Sequence, residues 1–181
     1  MSVKKIFDVK TLTHSEGELP KNEDIIERFF DPPSGKIYLQ MEKDIKTEYL
    51  FKALSMYLPY GLKVQFYGAE EEQMCFDTVD GLYADNKTVV VGQYDLDVMK
   101  VKPYLRPLYS MTKDEFKLFS RQFSETVYFS YDDKKGCVWS ECKCLTFSEL
   151  SWLLRHHFDV FGLIDCDLAI EVTKNCDPYN V

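Results

Sequence analysis

The tripeptide Pro59-Tyr60-Gly61 separates two kinds of hydrophobic pattern, and the change of period across it constrains the fold of this chain most. Ahead of it, Leu50, Phe51, Leu54, Tyr57 and Leu58 fall at i, i+1, i+4, i+7 and i+8. That is the stripe of a helix lying on a core, predicted over residues 46–58. Behind it, Leu62, Val64 and Phe66 alternate with Lys63, Gln65 and Tyr67 up to Gly68, which is the period of a half-buried strand. Helix and strand patterns in one short stretch indicate an α+β chain.

Three short β-rich runs follow the acidic Glu70-Glu71-Glu72, over 74–79, 81–84 and 88–91, punctuated by Asp80-Gly81 and Asp85-Asn86. Turn residues at this spacing read as a tight antiparallel meander, with 98–101 as its closing strand. Such a meander predicts a small SH3-like barrel or curled sheet over 62–102, since closure removes exposed edges. Three to four helices are expected to pack on it. Thr112-Lys113-Asp114-Glu115 and Thr146-Phe147-Ser148-Glu149 are capping-box patterns opening two of them. The first carries Phe116, Phe119 and Phe123, and the second Leu150, Leu153, Leu154 and Phe158. Between them, 127–131 and 137–141 flank Asp132-Asp133-Lys134-Lys135-Gly136 as a hairpin. Gly162 suits a helix C′ position, and Leu168, Ile170 and Val172 alternate as a last strand.

The expected organisation is an arm over 1–45, a single α+β domain over 46–174 and a frayed tail over 175–181. Within the arm, 5–9 and 37–41 read as short strands. Asn22 is a candidate cap for a helix carrying Ile25, Ile26, Phe29 and Phe30, stopped by Asp31-Pro32-Pro33.

Lys and Arg total 22 against 30 Asp and Glu, a formal net charge of −8. Binding to nucleic-acid backbones rests on cationic neutralisation of phosphates, so this balance disfavours nucleic acid and favours protein partners with basic surfaces. Aromatic residues reach 15%, enough for a core of rings or a surface used in recognition. The sequence has no secretory signal and no membrane-spanning apolar run, which points to the cytoplasm and to reduced thiols at its six cysteines.

Several strings together resemble a group of short uncharacterised proteins encoded by gut Bacteroides-type bacteria, often in prophages and mobile elements. They are Leu58-Pro59-Tyr60-Gly61-Leu62-Lys63-Val64, the run from Lys102 to Thr112, and His156-His157-Phe158-Asp159 with Gly162-Leu163-Ile164 and Leu168-Ala169-Ile170-Glu171. The similarity spans residues 50–171 and excludes 1–45 and the hairpin. Related sequences tend to have Tyr-Arg where this chain has Val160-Phe161, so an arginine partner for Asp159 is missing at that place. The resemblance implies a phage or mobile-element setting and no particular activity.

Candidate chemistry is sparse. His156, His157 and Asp159 form the most site-like cluster, since a carboxylate can orient an imidazole for proton transfer. Successive helical residues point about 100° apart, so the two histidines cannot share one site, and a helix terminus is the simpler role. Tyr104 and Arg106, bounded by Pro103 and Pro107, read as recognition anchors or as a stiff crossover aiming the next helix. Cys137, Cys142 and Cys144 lack the paired spacing of a zinc knuckle and read as free thiols. Asp77, Asp80, Asp95 and Asp97 lack a calcium-loop spacing, and no glycine-rich phosphate loop is present. No cofactor or metal is expected. The residues favour a binding protein, with a nucleotide-like small-molecule binder as the alternative and a hydrolase using His157 and Asp159 as the least supported reading.

Overall fold

A computed structural model describes residues 43–68, 73–123, 129–139 and 145–180. The chain is α+β in the described residues. Helix α1, Lys43–Tyr57, buries Leu50, Phe51, Leu54 and Tyr57 of the stripe read from the sequence, with Ala53 beside them. Pro59 carries its end into a 3₁₀ turn, Leu58–Tyr60, and Gly61 takes the left-handed conformation (φ 68) that releases the chain into β1.

Strands β1 (Lys63–Gly68), β2 (Gln73–Thr78), β3 (Gly81–Tyr83), β4 (Thr88–Val91), β5 (Tyr94–Asp97) and β6 (Val101–Leu105) occupy the region of the expected meander, β5 being a strand the sequence reading did not place. No closed barrel forms among the described residues. They build two separate sheets, β2-β1-β6-β9 and β3-β4-β5, where β9 is Ile170–Glu171. Both edges of β1 are taken, by β2 and by β6, so β3–β5 cannot join its ladder. The expected closing strand over 98–101 is instead a 3₁₀ turn, Val98–Lys100, capped by the Asp97 carboxylate on the Met99 N–H at 2.8 Å. The strand begins only at Val101. Pro103 is tolerated inside it because it shares the parity of Leu105, whose carbonyl faces β9. Its missing N–H is therefore on that side, ahead of the point where β9 begins to pair at Tyr104.

Helices α2 (Lys113–Gln122) and α3 (Phe147–Arg155) both open with complete capping boxes, as their sequences require. Phe119 sits at the centre of a ring cluster, 5.0 Å from Phe123, 5.4 Å from Phe129 and 5.1 Å from Trp152. The hairpin of β7 (Phe129–Asp132) and β8 (Gly136–Trp139) packs on the 3₁₀ turn Leu108–Ser110. A Cβ at Gly136 would lie 1.9 Å from the Tyr109 carbonyl oxygen, and its φ of +76 also demands glycine.

Two further expectations are corrected. Helix α3 stops at Arg155, and His157 (φ 57), not Gly162, takes the left-handed position after it. The terminal segment does not fray within the described residues: Pro178 is buried, and Tyr179 accepts the Lys63 N–H at 3.1 Å while donating to the Tyr104 carbonyl at 2.9 Å. The expected elements over 5–9, 22–30 and 37–41 lie outside the described residues. Among those described, no helix is long and apolar enough to cross a membrane.

Candidate functional site

The five singled-out residues converge around the end of β6, but backbone and packing join them. The Arg106 N–H donates to the His157 carbonyl at 2.8 Å, and the Asp159 N–H donates to the Arg106 carbonyl at 2.7 Å. This parallel bridge extends β6 alongside residues 157–159. Tyr104 and Leu105 therefore belong to a strand, not to a crossover. Tyr104 is buried, and its hydroxyl accepts from Gln65 Nε2 at 3.2 Å. The Arg106 guanidinium lies 4.4 Å from the centre of the Phe158 ring and grips Glu115 with two bonds of 2.8 and 2.9 Å.

The histidines face different neighbours. His156 stacks on Trp152 at 3.9 Å, with Nδ1 on the Trp152 carbonyl at 2.8 Å. His157 stacks on Tyr179 at 3.9 Å, and its Nε2 meets the Tyr60 carbonyl at 2.9 Å, so that nitrogen carries the proton. Burial lowers the pKa of His157, opposed by the bond to Tyr60, and favours the neutral ring. The Asp159 carboxylate is spent on the backbone, accepting from Leu163 at 2.9 Å and Ile164 at 2.8 Å. Burial pushes it up to about 6 against these amides. An acid–base dyad needs the carboxylate on the imidazole, and here each has a different partner. The cluster clasps α1, β6 and the terminal segment together. Tyr57 tightens it by donating to the Phe158 carbonyl at 2.6 Å.

The cysteines supply no metal site among the described residues, where no group of three His, Cys, Asp or Glu side chains converges. Cys142 and Cys144 lie outside them. Burial drives the Cys137 thiol up to about 12, away from the reactive thiolate.

Two surfaces remain. On β1 and β2, the register pairs Tyr67 with Met74 and Gln65 with Phe76, which puts these residues on one face of the sheet. Tyr67, Met74 and Phe76 are each 56–57% exposed, far from the usual fate of large apolar side chains. Alternation along β1 already pointed Tyr67 outward; nothing in the sequence of β2 showed that both its large side chains would join it. The same region concentrates the charge. Between residues 69 and 97 the sequence has Glu70, Glu71, Glu72, Asp77, Asp80, Asp85, Asp95 and Asp97 against Lys87. That lysine is held by Glu48 at 2.8 Å. All five aspartates are exposed.

The second surface is a cleft between the end of α2, the outer side of α3 and Tyr60. Its signal was present in the sequence as Ser148, Ser151, Trp152 and Arg155 at i, i+3, i+4 and i+7, behind the stronger apolar stripe of the same helix. No known protein family, curated protein or solved structure matches this chain.

Proposed function

We propose that this protein is a cytoplasmic accessory protein of a phage or mobile element that acts by binding another protein through the exposed ring-bearing face of β1 and β2, with the acidic stretch over 69–97 steering the partner. The observation carrying this reading is the coincidence of Tyr67, Met74 and Phe76, all more than half exposed on one sheet face, with five exposed aspartates in the same stretch. Apolar anchors within a strongly charged stretch suit a recognition surface: the anchors supply desolvation and the charges select and steer the partner. The partner is a protein with a basic rim around an apolar depression. Half-buried His157 and buried Asp159, with separate partners, give the hydrolase reading no support.

The test is affinity capture from host lysate with the wild type and with a Met74→Glu/Phe76→Glu variant, at low and high salt. Both side chains are exposed, so the variant keeps its core. The expected result is a basic protein retained by the wild type, absent from the variant and released by salt. Capture of the same proteins by both forms, or of none, refutes the reading.

A further inference from the structure

We propose that the cleft between α2 and α3 is a binding site for a small planar aromatic anion, its ring lying against Phe147 and Tyr60 and its charge held by Arg155. The site shares no residue with the acidic face and stands independently of the function proposed for it.

The local chemistry differs from that of the acidic stretch over 69–97. The core side of α3 is supplied by Leu150, Leu153 and Leu154. Its other side presents Ser148, Ser151, Trp152 and Arg155 to the cleft, with Phe147 at the helix start and Gln122 facing them from α2. Phe147 is 79% exposed, the most exposed large apolar side chain among the described residues. It serves neither core nor cap, since Thr146 and Glu149 complete the capping box without it. Arg155 is exposed and pairs with no carboxylate among the described residues; its guanidinium lies 5.9 Å from the Tyr60 ring centre, the outer limit of a cation–π contact. A cation this weakly held is ready to take an anion.

Three considerations narrow the ligand. Among the described residues the cleft lining contains one guanidinium and no carboxylate, which favours an anion here over a cation. Flanking rings with arginine favour a flat π-system carrying that charge, because guanidinium binds oxyanions and stacks on aromatic faces alike. The Ser148 and Ser151 hydroxyls and the Gln122 amide add neutral hydrogen-bonding groups for its polar edge. Finally, the cleft measures about 340 Å³, near the lower end of the range for small-molecule sites. That admits a mononucleotide or an aromatic carboxylate.

The experiment is calorimetric titration of the full chain with adenosine and guanosine 5′-monophosphates, with indole-3-carboxylate, and with adenosine as the uncharged control, repeated on Arg155→Ala and Phe147→Ala. Both replaced side chains are exposed, so folding is preserved. Saturable binding of an anion, weakened at least about tenfold in Arg155→Ala and several-fold in Phe147→Ala, is expected. A response to the monophosphates assigns the ligand to nucleotides, and one confined to the carboxylate assigns it to aromatic acids. No saturation by any anion at millimolar concentration, adenosine binding as tightly as its monophosphate, or an unchanged titration of Arg155→Ala overturns the proposal.

Discussion

Helices α2 and α3 begin with the same four-residue grammar, and their two glutamates lead different lives. In both boxes the glutamate accepts the threonine N–H, at 2.8 Å in Glu115 and 2.6 Å in Glu149, and the threonine hydroxyl accepts the glutamate N–H. Glu115 is also bound in two places by Arg106, which arrives from the end of β6. Glu149 is 2% exposed, and no cation reaches it among the described residues. A capping box is a local device whose hydrogen bonds close within one turn. Whether its carboxylate also ties a helix to a sheet depends on what the fold brings alongside. In α2 it does, and the tie continues through Arg106 to the Phe158 ring.

Three measurements sharpen this contrast. The largest effect is expected at a third carboxylate, Asp159, which like Glu149 is buried without a cation among the described residues but serves a turn instead of a helix start. Its folded pKa of about 6 lies above the ordinary 3.8, so its contribution to stability is fully present below pH 4 and is lost as pH rises through 6. This amounts to about 3 kcal/mol. Asp159→Asn should remove that loss, and chemical denaturation between pH 4 and 7 checks it: a variant with the wild-type slope over this window contradicts the assignment.

Glu115→Gln comes next, with an expected loss of about 2 kcal/mol at pH 7 after allowing for solvent screening of a partly exposed pair. Burial raises the Glu115 pKa, but the bonds from Arg106 and Thr112 outweigh it and leave the carboxyl at about 2. Because this pKa is depressed from 4.5, the stability it contributes is present above pH 4.5 and disappears as pH falls towards 2. The variant should lack this acid limb, and its deficit should shrink in high salt.

Glu149→Gln is the smallest, about 0.5 kcal/mol, since glutamine also completes a capping box. Parallel urea titrations of the two glutamine variants test the contrast directly. Equal losses would mean that Arg106 adds nothing to α2.

Much of the scaffold was legible in the sequence. The 50–58 stripe, the alternation of β1, the Phe116/Phe119/Phe123 face and both caps were readable because each depends on residues within a turn or two of one another. Strand β5 was not read from the sequence: Tyr94, Asp95, Leu96 and Asp97 are as much turn as strand in composition, and pairing with β4 makes the difference. The role of the candidate cluster was legible only in part. His156 and His157 were readable as helix-end residues, but the partners that define them, Trp152, Tyr60 and Tyr179, are chosen by tertiary packing.

Sequence alone determined the α+β class, the excess of acid and the start of each capped helix, because periodicity, composition and capping are short-range properties. Tertiary structure decided that the meander splits into two sheets, that Tyr179 docks onto His157 and Tyr104, that Arg106 belongs to Glu115 and that Asp159 belongs to the backbone. Each of these outcomes is a competition among distant groups for one strand edge, one ring face or one charge. Only the folded chain brings the competitors within reach of one another.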